Sequence, residues 1–166
     1  MESEEFEKRL QRLEDKEAIK DLHREYVYLL IRQQWDEMVE CFAEDASAVI
    51  ASRPRCSGKK EIRALLTEVI AKHVPKDEGH LVTQPVISVD GDKAEGHWLL
   101  YVFLPKPALG WRQARYDCEY VKVDGKWKFS SLVFQAPWPP RPALSPEGRG
   151  KKVSPQQAAR KHPIEP

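Results

Sequence analysis

The sequence predicts an α+β fold: N-terminal helices laid over a curved antiparallel sheet. Three observations carry this. Apolar residues recur every three or four positions as far as His73, and every second position from His80 onward. Two Asp-Gly turns, at Asp90-Gly91 and Asp124-Gly125, sit between runs of the second kind. Helices followed by a meander of strands then require the helices to cover one face of the sheet.

The first helix is expected from Glu4 to about Ile31, a stretch without Pro or Gly. Phe6, Leu10, Leu13, Ala18, Ile19, Leu22, Tyr26, Leu29 and Leu30 form its apolar stripe. Residues 1–12 are dense in Glu and Lys and read as a charged helical arm. A second helix spans Trp35–Phe42, with Trp35, Met38, Val39 and Phe42 on one face, and Glu44-Asp45 breaks the pattern. Ala46–Ala51 reads as a short strand and Ser52–Gly58 as a turn. Ser57 is placed to cap a third helix over Lys59–His73, whose stripe is Ile62, Leu65, Leu66, Val69 and Ile70.

Strands are expected at His80–Val89, around Pro85, and at Lys93–Leu104. The second places Trp98, Leu100 and Val102 on one face and His97, Leu99, Tyr101 and Phe103 on the other. Pro105–Gly110 reads as a loop, Arg112–Val123 as a strand, and Lys126–Gln135 as the last strand. From Ala136 to Pro166 eight prolines fall in 31 residues, so this tail cannot build regular ladders. Trp138 could anchor its start. The domain proper is therefore residues 13–135, and the tail 136–166.

The bulk composition excludes several classes. There are 27 basic and 26 acidic side chains, a net charge of +1, so no overall pull toward nucleic acid or a membrane surface follows. No apolar run approaches the roughly 18 residues needed to span a bilayer. Cys41, Cys56 and Cys118 form no close pair, which argues against a disulfide framework and points to a reducing cytoplasm. No phosphate loop, dinucleotide fingerprint or nucleophile elbow appears. His23 and His73 are too isolated to suggest a metal site, and neither cofactor nor metal is expected.

A few polar groups on apolar faces remain as candidates. Tyr26 reads either as a core aromatic or as a phenol aimed into a cavity beneath the helices. His80 reads either as a solvated loop-edge residue or as a general base, since imidazole titrates near working pH. His97 faces away from Trp98, toward the outer or interface side of the sheet. Trp98, Trp111, Trp127 and Trp138 read as core or interface. Asp117 and Glu119 share one side of their strand and need partners such as Arg112 or Arg115 if that side is covered.

The stretch Leu13-Glu14-Asp15-Lys16-Glu17-Ala18-Ile19-Lys20-Asp21-Leu22, then Tyr26 and Trp35-Asp36-Glu37, resembles the start of SnoaL-like domains of the nuclear transport factor 2-like superfamily. Gly79-His80, Gly96-His97-Trp98 and Tyr120–Trp127 agree in order and spacing. The resemblance covers about Leu13 to Phe134. It implies a cone in which helices and a strongly bent sheet enclose a pocket.

Within that superfamily the chain resembles the scytalone dehydratase and bile acid 7α-dehydratase type. There a helix tyrosine and a strand histidine, helped by aspartates, remove a proton and expel water. Tyr26 and His80 match that pair. The aspartate positions fall at Ile31 and Val102, a third-strand polar position at Cys118, and a last-strand arginine near Ala136. A histidine without a carboxylate orienter is held neutral by burial.

The resemblance thus implies His80 and Tyr26 as catalytic residues. It makes Leu30, Ile31, Trp98, Leu100, Val102 and Cys118 a mostly apolar wall for a hydrophobic, oxygenated small molecule. It also implies a homo-oligomer, dimer or trimer, through the exposed sheet face. Three functions stay open: a lyase or isomerase, a non-catalytic pocket protein, and an interaction module. A cavity below about 300 Å³ would weaken both ligand readings.

Overall fold

Four consecutive strands carry the period-two half of the sequence: β3 (Gly79–Asp90), β4 (Lys93–Leu104), β5 (Gly110–Val123) and β6 (Lys126–Gln135). The computed structural model describes residues 2–76, 78–104 and 110–139. The expected loop at 105–109 and the tail beyond 139 lie outside the described residues.

Both Asp-Gly turns close two-residue hairpins. Asp90 pairs with Lys93 across Gly91-Asp92, and Val123 with Lys126 across Asp124-Gly125. Asp124 and Gly125 both hold positive φ (50° and 75°), which Gly tolerates and Asp accepts more readily than most residues. Pro85 sits in a bulge of β3, where pairing with β4 slips between Thr83 and Val86.

The meander is antiparallel, but the whole sheet is mixed. Its order is β2-β1-β6-β5-β4-β3, with β1 (Phe42–Ile50) parallel to β6 and β2 (Cys56–Ser57) at the far edge. β1 starts at Phe42, four residues earlier than the sequence predicted. Phe42 continues the helical apolar stripe, yet it pairs with Phe129 of β6, and tertiary pairing overrides the local period. The Glu44-Asp45 break lies where the register shifts between Phe42 and Ser47. The second helix, α2, is accordingly short (Trp35–Val39).

The first helix, α1, runs from Glu2 to Arg32. Residues 3–14 are all exposed, Phe6, Leu10 and Leu13 included. The buried face is Asp15, Ile19, His23, Tyr26, Val27 and Leu30, spaced by one, three or four, and it packs against β3 and β6. Gln33 ends the helix in the left-handed region, and Gln34 N–H reaches back to Leu29 O (2.9 Å), closing a Schellman turn.

The third helix begins at Gly58 and is α-helical only to Ala64. It then widens into a π turn, Leu65–Val69, and tightens into a 3₁₀ turn, Ile70–Lys72. Ser57 makes no side-chain cap; instead Glu61 accepts the Ser57 backbone N–H (2.8 Å), the returning half of a capping box. The core lies between the helices and the inner face of the sheet.

Candidate active site

Cross-strand pairing sorts the inner face of the sheet into rows, since directly opposed residues in an antiparallel pair point to the same side. His80 of β3, Val102 of β4 and Arg112 of β5 form one row. Val82, Leu100 and Ala114 form the next, then Trp98, Tyr116 and Phe134. Beyond them lie Ile87, Gly96, Cys118 and Leu132.

A cavity of about 240 Å³ opens over the first rows, under α1 and the third helix. Tyr26 and Leu30 of α1, His80, Leu100, Val102 and Arg112 of the sheet, and Leu66 and Ile70 of the third helix line it. The π turn thus supplies part of the roof, and such widened turns recur at functional sites. A larger, open depression of about 600 Å³ lies beside Asp45, Asp90, Glu95 and Glu119. It touches neither Tyr26 nor His80, so the smaller cavity is the candidate site.

Of the residues read from sequence, Tyr26, His80, Leu30, Leu100 and Val102 meet at this cavity. Ile31 turns outward, 38% exposed. Cys118 lies two rows deeper than Leu100 and Ala114, and burial pushes its thiol pKa up. Trp98 is buried but leans away from the cavity into a separate polar cluster.

That cluster explains the Gly-His-Trp stretch. Trp98 Nε1–H donates to Tyr120 Oη (2.9 Å), and the Tyr120 hydroxyl then has its own proton for His23 Nδ1 (3.2 Å). His23 stacks on Trp98, ring centroids 4.2 Å apart. Gly96 makes room, since a Cβ there would lie 2.9 Å from the Tyr120 ring. His23 is fully buried, its Nε2 has no hydrogen-bond partner, and desolvation lowers its pKa to about 3. It is a neutral structural histidine.

His80 is placed differently. Its side chain is 5% exposed, and Nε2 lies 3.2 Å from Glu78 Oε1. Glu78 stands where the sequence reading saw only a loop, and it brings a carboxylate that Ile31 and Val102 do not. Nδ1 has no partner. Tyr26 is 2% exposed, and burial first, then neighbouring Tyr116, holds its phenol well above the ordinary range. It therefore keeps its proton. Arg53, His73 and Glu78 add polar groups to the lining.

On the outer face, His97 Nδ1 meets Asp117 Oδ1 (2.5 Å), which Arg115 also holds (Nε 2.7 Å). Arg115 is the partner of Asp117, whereas Arg112 belongs to the inner row, and its even numbering with Tyr116 and Tyr120 is the signal that shows this. Trp138 lies under Arg115 (5.5 Å) and donates its backbone N–H to Gln113 O (3.0 Å). Among the described residues no three His, Cys, Asp or Glu side chains converge as a metal site. No described helix is long and apolar enough to cross a membrane.

A model of the SnoaL-like domain matches residues 11–133. The chain belongs to the SnoaL-like domain family. A nuclear transport factor 2-like protein with a cystatin-like fold from Novosphingobium aromaticivorans superposes on it with a TM-score of 0.70 at 20% identity, covering 79% of this chain and 87% of that one. A candidate scytalone dehydratase from the same organism gives 0.65 at 22%, covering 84% and 97%. A type 2 hexachlorocyclohexane dehydrochlorinase, LinA, gives 0.65 at 26%, covering 76% and 88%. No curated protein sequence matches this SnoaL-like chain.

Proposed function

We propose that the cavity of this SnoaL-like protein is an acid/base active site for elimination or isomerisation of a hydrophobic, oxygenated small molecule. The observation that carries this is the Glu78–His80 pair on the wall that Tyr26 also lines. Glu78 orients the imidazole through Nε2, as a carboxylate does for a catalytic histidine. Nδ1 is the nitrogen that takes a proton from the carbon beside a carbonyl. Tyr26 hydrogen-bonds the carbonyl or the departing hydroxyl. In a dehydration the C–H electrons form the new double bond, and the hydroxyl leaves as water on the proton that His80 Nδ1 took up.

The cavity volume sets the scale of the substrate. An apolar cavity of about 150 Å³ holds benzene, so 240 Å³ suits a single substituted ring and is too small for a fused steroid. At about 240 Å³ the cavity falls under the roughly 300 Å³ expected of a ligand pocket, which weakens this reading and the second one, a pocket that binds such a molecule without transforming it, alike.

A panel of monocyclic β-hydroxy ketones, followed by enone absorbance, tests the first reading. His80→Ala should lose at least about a hundredfold in turnover with its circular dichroism unchanged. Glu78→Gln should lose less and shift the pH profile. Turnover unchanged in His80→Ala sinks the catalytic assignment.

We further propose self-association through the outer sheet face, where Leu81, Val86 and Trp111 stand 56–68% exposed. Three free thiols, two of them buried, suit the reducing setting in which we place the protein.

A further inference from the structure

The charged groups on the cavity wall are unevenly placed. Arg112 ends the row that begins at His80, with Val102 between them. Two strand spacings put their Cα atoms about 10 Å apart on the same face. Arg53, from the turn after β1, joins the lining near Phe134 and Ala136. Its turn is tied to β6 through Ala51 N–H and Phe134 O (2.8 Å). Against these two guanidinium groups the lining has, among the described residues, one carboxylate, Glu78, and that one faces His80. Tyr26, Leu30, Leu66 and Leu100 make the remaining wall largely apolar.

We infer that the ligand is a monocyclic carboxylic acid, its carboxylate seated on Arg112, with Arg53 as second contact, and its ring carbon presented to His80. This rests on the acid/base reading of the same cavity and names its substrate class. A guanidinium offers two parallel N–H donors that match the two oxygens of a carboxylate. An imidazole poised to accept a proton is served by a neighbour whose charge is already engaged by the ligand. The two side chains rise from the same face of the sheet, so their reach does not shorten the spacing of about 10 Å, which spans about one six-membered ring with its contacts. The volume of about 240 Å³ agrees with that size.

The test compares cyclohexanecarboxylate with cyclohexanecarboxamide, equal in shape but neutral, by isothermal titration calorimetry on the full chain. Wild type should bind the acid at least tenfold more tightly than the amide. Arg112→Gln, an exposed position, should lose at least tenfold for the acid and leave amide affinity unchanged. The Arg53→Gln/Arg112→Gln double variant should show no preference. An amide that binds as tightly as the acid, or a preference that survives in the double variant, overturns the inference and leaves the acid/base reading standing. Binding of neither probe overturns the inference together with the pocket reading beneath it.

Discussion

Acidification from about pH 7.5 to about pH 5 should destabilise this protein by about 2 kcal/mol through His23 alone. The ring is sealed among Trp98, Tyr116, Tyr26 and Phe129, and its folded pKa is lowered from 6.5 to about 3 by desolvation. In the unfolded chain it titrates near 6.5. Below that value the unfolded state takes up a proton that the folded state refuses. Stability is therefore complete above pH 6.5 and falls as pH drops toward 3. Each pH unit costs about 1.4 kcal/mol, and about 1.5 units separate 6.5 from 5. Urea unfolding followed by tryptophan fluorescence, on wild type and His23→Phe, isolates the effect. At neutral pH the variant should be weaker by about 1–3 kcal/mol, because the Tyr120 hydroxyl loses its acceptor. At pH 5 the gap should close by about 2 kcal/mol. Parallel losses in the two proteins, or a measured His23 pKa above 6, would refute the reasoning.

Two further substitutions probe the same interior. Gly96→Ala forces a methyl group against the buried Tyr120 ring and should lower stability by about 1–3 kcal/mol in denaturant titration, with the far-ultraviolet spectrum unchanged. Asp15→Ala removes the carboxylate that accepts from Trp127 Nε1 (2.9 Å) and pairs with Lys122 (2.7 Å). It should cost about 1–3 kcal/mol by the same assay, since the indole N–H is then buried unpaired.

What the sequence revealed is what local physics decides. The change of period, the two Asp-Gly hairpins and the bulge at Pro85 each depend on a few adjacent residues. Phe42 was misjudged because its helical spacing is real and its strand partner, Phe129, is remote. His23 looked isolated because Tyr120, 97 residues away, supplies its contact. Asp15 stood out only as a member of the resemblance stretch, because its partner Trp127 is just as remote. At the cavity, the resemblance brought out Tyr26 and His80, and the two-residue period placed Leu100 and Val102. Glu78 was passed over because it precedes the strand, where no period fixes the direction of a side chain. Ile31 and Cys118 followed from alignment to a pattern, and alignment does not report that a helix face has turned or that a row lies deeper.

The parallel pairing of β1 with β6 has a consequence for how the chain folds. β1 is made early and β6 late, and Ser47 meets Ser131, 84 positions further along the chain. Asp15 and Trp127 are further apart still, at 112. The hairpins of β3 to β6 can form by themselves, but β1 lacks its parallel partner and Asp15 lacks Trp127 until the last strand arrives. Such long loop closures slow folding relative to local contacts. A chain stopped before Lys126 keeps every helix and most of the sheet, yet it lacks the strand that joins its two halves. The rate-limiting step in folding of the full chain should therefore be the docking of β6, and variants in β6 should slow refolding more than variants in the β3–β4 hairpin.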